Sequence, residues 1–390
     1  MSAGSARACI VGAFEHPTRK APDKSVAQLH AESAVGALRD AGLTRDDVDG
    51  YFCAGDAPGM GPTSMIEYMN LRVRHTDSTE LGGCSYIALV AHAADAIAAG
   101  RCNVALITLA GRPRSEGVAT GTAPRLRNAA APDQQWEFPF GLATVNGYAM
   151  CAQRHMHQYG TTSEQLAWIK VAASTHAQHN PHAMLRDVVT VADVTGSPMV
   201  ADPLHRLDCC VVSDGGGALV VARPEIARSL KRPVIGVIGT GEAVRYTHGP
   251  QIDLTVTAAS LSGPAAFAEA GVTPSDIRYA SVYDSFTITV LLQLEDLGFC
   301  RKGEGGRFVA DGNLISGVGR LPFNTDGGGL CNNHPANRGG ITKVIEAVRQ
   351  LRGEAHPAVQ VRDCGLALAT GIGGNLAARH ASATVILERE

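Results

Sequence analysis

The sequence predicts an α/β protein built from two similar βαβ halves, and three observations support this prediction. A segment near the N-terminus is repeated in the second half of the chain. Alanine-rich helical segments alternate with apolar segments typical of strands, and each half has a glycine-rich turn directly before a helix. This alternation is typical of crossover units, whose strands are largely parallel and covered by helices on both faces. Two such halves predict a molecule with pseudo-twofold symmetry.

The repeat consists of an alanine-rich helix, an Ala-Gly stop, a threonine start signal and a following strand. Its two copies read AVGALRDAGLTRDDVDGYFCAG and GPAAFAEAGVTPSDIRYASVYDS, and the matching residues are Gly42, Thr44, Asp47 and Val48 in the first copy and Gly271, Thr273, Asp276 and Ile277 in the second. Glycine often ends a helix and threonine often caps the next turn, so two unrelated αβ units could converge on this pattern. Because each copy is followed by a glycine-rich turn, another helix and another strand, we favour duplication.

The order of segments predicts three units. Residues 1–110 and 204–228 are expected to form the N-terminal half, and residues 229–390 the C-terminal half. Between the two parts of the first half lies a segment, residues 111–203, that is rich in His, Gln, Asn and Pro and whose clearest helix reads TTSEQLAWIKVAASTHAQHN. It is too long for a connecting loop, so we expect an inserted loop or lid domain.

Composition excludes several classes of function. The formal net charge is −3 and there is no run of lysines or arginines, so nucleic acid and anionic membranes are poor candidates as partners. No apolar run approaches the roughly 18 residues that span a membrane, which predicts a soluble, cytoplasmic protein. The ten cysteines form no C-x-x-C pair and no regular spacing. We therefore expect reduced thiols and no metal site in this chain.

Each glycine-rich turn carries one reactive residue type, Cys84 in the first half and His334 in the second. A helix N-terminus lowers the pKa of a thiol and can bind a developing oxyanion, so Cys84 is a candidate nucleophile and His334 a candidate base. The alternative for Cys84 is a small buried residue that packs a helix start. His334 has Asn332 and Asn333 before it and proline and glycines around it, which is poor material for a core and suits an oriented polar group.

Tyr283 and Gly374 are the remaining candidates from the residues themselves. Tyr283, in VYDSFT, lies at a strand end, where sites of α/β proteins collect, although a buried tyrosine with a satisfied hydroxyl is the alternative. Gly374, in TGIGGN, is predicted to lie in a turn before the closing strand ASATVIL. There its backbone N–H could donate to an oxyanion.

Several long segments together resemble one family over nearly the whole chain. These segments include YGTTSEQLAWIKVAASTHAQHNPHA, VTGSPMVADPLHRLDCCVVSDGGGALVVA, YDSFT followed by LEDLGF, NTDGGGLCNNHPANRGG and the final GIGGN. They are similar to the thiolases, specifically the branch of sterol-carrier-protein and lipid-transfer-protein thiolases. The resemblance implies a five-layer α-β-α-β-α sandwich, in agreement with the duplication.

The resemblance also implies roles for individual residues, and some of them depart from the thiolase pattern. His334 matches the histidine of the G-H-P loop, with Asn333 in place of the glycine, and Asn332 and Asn333 are expected to bind substrate. Gly83, rather than Cys84, fills the position of the nucleophilic cysteine. Tyr283 fills an Asn or His position, and Gly371 fills the position of the second cysteine, so the usual thiol for proton transfer is missing.

Three functions are compatible with this pattern. The first is thiolase-like cleavage of a β-ketoacyl-CoA in degradative lipid metabolism such as β-oxidation, with Cys84 as nucleophile, His334 activating it, and Tyr283 or Gly374 stabilising the enolate. The second comes from a resemblance to thiolase-like aldolases of steroid side-chain breakdown. In that function Tyr283 is the base for a β-hydroxyacyl-CoA, His334 is the acid on the enolate side, and Cys84 takes no part. The third is a non-catalytic CoA-binding or scaffolding subunit.

The resemblance further implies ligands and partners. Coenzyme A is expected as substrate or product, with no permanently bound cofactor. A homodimer is expected, together with a small accessory subunit that carries a zinc ribbon and an OB fold and completes a heterotetramer. Any zinc would belong to that accessory subunit.

Overall fold

Strands and helices alternate along the chain in a computed structural model that describes residues 6–55, 57–122, 143–245, 252–335 and 339–390. Its strands are β1 (Ala8–Glu15), β2 (Gly50–Ala54), β3 (His75–Thr79), β4 (Val104–Gly111), β5 (Met199–Ala201), β6 (Leu204–His205), β7 (Gly215–Ala222), β8 (Ile235–Arg245), β9 (Tyr279–Val282), β10 (Leu366–Gly374) and β11 (His380–Arg389). Its helices are α1 (Val26–Ala41), α2 (Pro62–Tyr68), α3 (Ser85–Ala98), α4 (Thr144–Tyr159), α5 (Ser163–Ala177), α6 (Val191–Thr195), α7 (Pro224–Ser229), α8 (Ala259–Ala270), α9 (Thr287–Asp296), α10 (Gly305–Val309), α11 (Gly328–Cys331) and α12 (Gly340–Arg352).

Nine of the described strands are hydrogen-bonded in the order β3-β2-β4-β7-β1-β8-β11-β10-β9. The first five belong to the N-terminal half and the last four to the C-terminal half. Only the pairs β2–β3, β2–β4 and β9–β10 are parallel, so the expectation of largely parallel sheets is only partly right. The pairs β1–β7, β1–β8 and β8–β11 join strands that are separated in the chain by other strands of the sheet, whereas β10–β11 is joined by a short connection and β4–β7 by the long insertion. None of these connections requires the parallel direction that a crossover helix imposes.

Three layers of helices alternate with the two groups of strands. Helix α1 packs on β1, β4 and β7, and α8 packs on β8 and β11. Helices α3 and α12 contact strands of both groups and therefore lie between them. Their apolar side chains share one buried core with both strand groups. This is the α-β-α-β-α arrangement of the thiolase fold, with the strand groups also joined by three residue pairs between β1 and β8.

The repeated segments have the same local structure. Helices α1 and α8 end at Gly42 and Gly271, whose φ angles of 72° and 68° lie in the left-handed region. In the turns that follow, Thr44 and Thr273 bind the carboxylates of Asp47 and Asp276. Each turn leads directly into a strand, β2 or β9. The residues that the sequence comparison paired thus occupy equivalent places, which supports the duplication.

The inserted segment packs against the second half of the chain. Helix α5 forms within the segment TTSEQLAWIKVAASTHAQHN, where the sequence predicted a helix. Both α4 and α5 contact α9. A fully buried hydrogen bond joins α4 to α9, with the imidazole Nε2 of His155 3.1 Å from the carboxylate of Glu295. Residues 123–142 of the predicted insertion lie outside the described residues. In the ranges that are described, no helix is long and apolar enough to cross a membrane.

Candidate active site

Two side chains predicted from different motifs meet at the starts of the central helices. The phenol oxygen of Tyr283 lies 2.8 Å from Nε2 of His334. Tyr283 directly follows β9, and its side chain is buried, whereas His334 lies in the glycine-rich loop after α11 and is half-buried. The structure therefore joins the strand-end tyrosine and the loop histidine into one hydrogen-bonded pair.

Burial keeps both members of this pair uncharged near neutral pH. It raises the pKa of Tyr283 well above the usual range of a phenol. It also lowers the pKa of His334 to about 4, although the charge of Asp284 opposes this shift. In the tautomer of the neutral imidazole that carries its proton on Nδ1, the Tyr283 O–H donates to Nε2 of His334. The pair can pass a proton from a substrate oxygen through the phenol to the imidazole.

The phenol of Tyr283 occupies the space that a side chain at residue 83 would need. Gly83 lies in a short helical turn, Gly82–Cys84, at the start of α3. A Cβ atom on Gly83 would lie 2.5 Å from Cζ and 2.7 Å from the hydroxyl oxygen of Tyr283. Since Gly83 fills the position of the thiolase nucleophile in the resemblance, a phenol stands here where that family has a thiol.

Cys84, the predicted nucleophile, lies next to this pair but directs its thiol into the core. Its side chain is fully buried among apolar residues of the central layer, and its S–H donates to the carbonyl oxygen of Leu81 at 3.4 Å. Burial raises the pKa of the Cys84 thiol. Gly371, at the position of the second thiolase cysteine, is its neighbour, since a Cβ there would lie 3.4 Å from the Cβ of Cys84. The thiol is thus close to Tyr283 in space but protonated and covered.

Gly374 lies at the end of a strand, so the prediction of a turn over residues 370–375 is wrong. Residues Thr370 to Gly374 pair one by one with β11, ending in the pair of Gly374 with His380. The run of glycines allows another backbone to approach closely, because a Cβ on Gly82 would lie 2.6 Å from the nitrogen of Gly374. Gly374 therefore adjoins the turn that carries Gly83, and its role as an oxyanion donor stays a prediction.

Asn332 and Asn333 are buried, and both bind other protein groups. The amide nitrogen of each donates to the carboxylate of Glu15 at 3.0 Å. The amide oxygen of Asn332 accepts from Arg19, and that of Asn333 accepts from the hydroxyl of Ser213. We therefore propose that both asparagines hold the His334 loop in place, instead of the substrate-binding role predicted for them.

A buried ion pair that sequence reasoning missed supports the same loop. The ammonium group of Lys343, on α12, donates to Oδ1 of Asp284 at 2.8 Å, and the two side chains are 2% and 0% exposed. Asp284 also accepts from the backbone N–H groups of Gly329 and Leu330 in α11, which leads into the loop. The sequence did contain a signal, because Asp284 directly follows Tyr283 and Lys343 interrupts an apolar face of a central helix.

Ser213 is a second missed residue, and it holds the backbone of the histidine itself. Its hydroxyl oxygen accepts from the backbone N–H of His334 at 2.8 Å. Only the folded chain brings Ser213, which precedes β7, to this loop. The position of His334 is therefore determined from three sides, by Ser213, by the asparagines and by Asp284.

The lowered pKa of His334 predicts an unusual pH profile for any activity that uses its neutral imidazole. Nε2 of His334 stops being a proton acceptor only as pH falls through about 4. We therefore expect kcat/KM to stay constant through the ordinary histidine range near about 6.5 and to decline only as pH approaches about 4. Initial rates between neutral and acidic pH would check this expectation. A decline centred near the ordinary value would contradict it.

That pH experiment needs a control for unfolding. Burial also lowers the pKa of His30 to about 3 and that of His176 to about 4. Such groups contribute stability above the unfolded pKa, and that stability is lost as pH falls toward the folded pKa. Far-UV circular dichroism recorded at each pH separates titration of His334, which leaves the fold intact, from acid unfolding.

Comparison with known proteins identifies the family. Residues 241–389 match the family described as thiolase C-terminal domain-like. The chain is 34% identical to acetyl-CoA acetyltransferase of Methanothermobacter thermautotrophicus over 376 residues, which cover 94% of this chain and 96% of that protein. It is 38% identical to a steroid side-chain-cleaving aldolase of Thermomonospora curvata over 370 residues, or 90% and 91% of the two chains.

A solved structure gives the same result. The structure of an Ltp2-ChsH2(DUF35) aldolase superposes with a TM-score of 0.87 at 34% identity, covering 98% of this chain and 97% of that one. The fold and the pair at its centre thus define a thiolase-like α/β enzyme. The chain belongs to the thiolase superfamily, in the branch that includes sterol carrier protein 2.

Proposed function

We propose that this enzyme is a retro-aldolase that splits a β-hydroxyacyl-CoA into a carbonyl compound and a shorter acyl-CoA, without an acyl-enzyme intermediate. The observation that carries the proposal is the Tyr283–His334 hydrogen bond, with the phenol in the space of a side chain at residue 83. The name of the Thermomonospora curvata relative, a steroid side-chain-cleaving aldolase, supports the same class of reaction.

In the proposed reaction one proton moves from the β-oxygen of the substrate to its α-carbon. The β-hydroxyl gives its proton to the oxygen of Tyr283, while Tyr283 gives its own proton to Nε2 of His334. The bond between the α- and β-carbons breaks, and its electron pair passes into the enolate of the thioester. His334, now an imidazolium, then returns the proton to the α-carbon. The reaction needs no second substrate, because the protons and electrons balance within one molecule.

Thiolysis of a β-ketoacyl-CoA is less well supported by the geometry, although one relative is named an acetyl-CoA acetyltransferase. It requires a thiolate that can reach the substrate. Burial raises the pKa of Cys84, and its S–H is directed to the backbone of Leu81. A purely scaffolding role is also less well supported, because it gives no reason for a neutral phenol and imidazole to be held together by buried polar groups.

Replacing Cys84 by alanine should leave the cleavage of a β-hydroxyacyl-CoA unchanged within experimental error, because the thiol takes no part in the proposed proton transfer. Steady-state kinetics of Cys84→Ala beside the wild type would check this.

Labelling of the cysteines with iodoacetamide, followed by peptide mass spectrometry, gives an independent measurement. The half-buried Cys210 and Cys300 should react before Cys84. Selective labelling of Cys84, with loss of activity that a CoA ester prevents, would contradict the proposal.

The proposal includes partners. The Ltp2-ChsH2(DUF35) aldolase is a complex with a DUF35 protein, and we propose that this chain also works with a small accessory subunit of that type, which would carry the expected zinc ribbon and OB fold. We further propose a homodimer. Strand β3 supports it, because among the described strands none pairs with the outer edge of β3.

A further inference from the structure

We propose that Tyr148 is a further catalytic residue, whose phenol donates a hydrogen bond to the thioester carbonyl oxygen of the CoA ester as the enolate forms. This inference rests on the proposed retro-aldol function and assigns the other end of the same substrate. Tyr283 and His334 act on the β-oxygen and the α-carbon. The thioester oxygen, where negative charge develops, requires a donor of its own.

Tyr148 is an aromatic residue that the described part of the inserted segment contributes to the site. It lies in the first half of α4 and its side chain is 3% exposed. Its ring packs on that of Phe286 with a centroid distance of 4.3 Å and an angle of 35° between the ring planes. Its hydroxyl donates to the carbonyl oxygen of Gly374 at 3.3 Å. Phe286 is three residues after Tyr283, and Gly374 adjoins the turn of Gly83. The second phenol is therefore held beside the first.

The residue before Tyr148 allows this placement. A Cβ atom on Gly147 would lie 2.1 Å from the side-chain oxygen of Asn375. Glycine leaves room for the Asn375 side chain against α4, beside the end of β10 where the hydroxyl of Tyr148 contacts Gly374. The inserted segment thus contacts the site through the side chain of Asn375 as well as through Tyr148.

The hydrogen bonds of the two phenols suit different tasks. The hydroxyl oxygen of Tyr283 lies 2.8 Å from Nε2 of His334, which accepts its proton in the proposed relay. Tyr148 donates over a longer distance to a neutral carbonyl oxygen, while Ser285 is a second hydrogen-bonding partner of its hydroxyl. Burial raises the pKa of Tyr148, so its proton stays in place. A donor of this kind gains by exchanging a neutral acceptor for an oxygen that becomes negative.

The test measures the enolate step separately from the breaking of the C–C bond. By microscopic reversibility, an enzyme that protonates the enolate of an acyl-CoA also exchanges the α-protons of that acyl-CoA with solvent. We would follow the α-proton exchange of propionyl-CoA in D₂O by mass spectrometry, and the cleavage of a β-hydroxyacyl-CoA, for the wild type, Tyr148→Phe and Tyr51→Phe. Tyr51 is a matched control, because its buried hydroxyl bonds to Thr108 in the outer core of the first half.

Tyr148→Phe should lower both the exchange rate and kcat for cleavage by about 10²–10³-fold, the usual loss for one oxyanion donor, with a smaller effect on KM. Tyr51→Phe should leave both rates unchanged. If the wild type cleaves the substrate and Tyr148→Phe exchanges and cleaves at the same rates, the role of Tyr148 is overturned and the proposed function is not. A wild type that neither exchanges nor cleaves would overturn the proposed function and this inference with it.

A second variant keeps the inference testable if Tyr148→Phe does not fold. Incorporation of 3-fluorotyrosine at position 148 retains the hydroxyl and the contact with the ring of Phe286, but makes the phenol a stronger acid. The exchange rate should then rise, because a stronger acid stabilises the enolate oxygen better. An unchanged or lower exchange rate in a folded protein would overturn the role of Tyr148.

Discussion

Replacing Tyr283 by phenylalanine should remove nearly all cleavage of a β-hydroxyacyl-CoA, lowering kcat/KM by about 10²–10⁴-fold. The substitution removes only the oxygen that lies 2.8 Å from Nε2 of His334, while the buried ring stays in place. Steady-state rates over a range of enzyme concentrations would measure the loss. Tyr51→Phe serves again as control, since it removes one buried phenol oxygen far from the pair. Retention of wild-type activity in Tyr283→Phe would contradict the proposed chemistry.

The relay also predicts how this substitution combines with a change at His334. Groups that act as one unit lose their contribution together, so removal of either should cost about as much as removal of both. The double variant Tyr283→Phe with His334→Ala should therefore be no slower than the slower single variant. Additive losses would show that the phenol and the imidazole act in separate steps.

Replacing Lys343 by methionine should destabilise the fold by about 3–5 kcal/mol, because it leaves the carboxylate of Asp284 buried without its counter-ion. Methionine fills a similar volume, so lost packing contributes little. Chemical denaturation of Lys343→Met against the wild type would measure the change in the free energy of unfolding. We expect activity to fall as well, since Asp284 binds the backbone of α11, which leads into the His334 loop.

The matched control for this prediction is the double variant Lys343→Met with Asp284→Asn. It removes both charges and should be less destabilised than Lys343→Met alone, because an uncharged amide costs less to bury than an unpaired carboxylate. A single variant that is as stable as the wild type would mean that water reaches Asp284. That result would contradict the buried pair as the support of the loop.

Repeated local signals in the sequence predicted the duplicated helices and turns, although they did not predict that most strand pairs of the large sheet are antiparallel. The Gly42 and Gly271 helix ends and the threonine-capped turns recur with the same geometry, and the central helices follow the two glycine-rich turns as expected. Duplication also predicted that the two turns lie near each other. In the structure a Cβ on Gly340 would lie 2.5 Å from the carbonyl oxygen of Gly83, so the starts of α12 and α3 are in contact.

The direction of single side chains at the site could not be read in the same way. Cys84 and Gly83 are adjacent in a tight helical turn, and a shift of one residue changes which of them faces the core. The partners of Asn332 and Asn333 are equally hidden, because Glu15 is more than 300 residues away in the chain. Gly374 was assigned to a turn because glycines are common there, whereas pairing with β11 places it in a strand.

The most direct test of the central claim is the cleavage of a panel of β-hydroxyacyl-CoA esters in the absence of free CoA, with all products identified by mass spectrometry. The enzyme would be assayed alone and with its proposed DUF35-type partner. We predict equal amounts of a carbonyl compound and a shorter acyl-CoA, with no increase in the mass of the enzyme. A requirement for free CoA, with cleavage of β-ketoacyl-CoA esters and an acyl group on Cys84, would contradict the retro-aldol account.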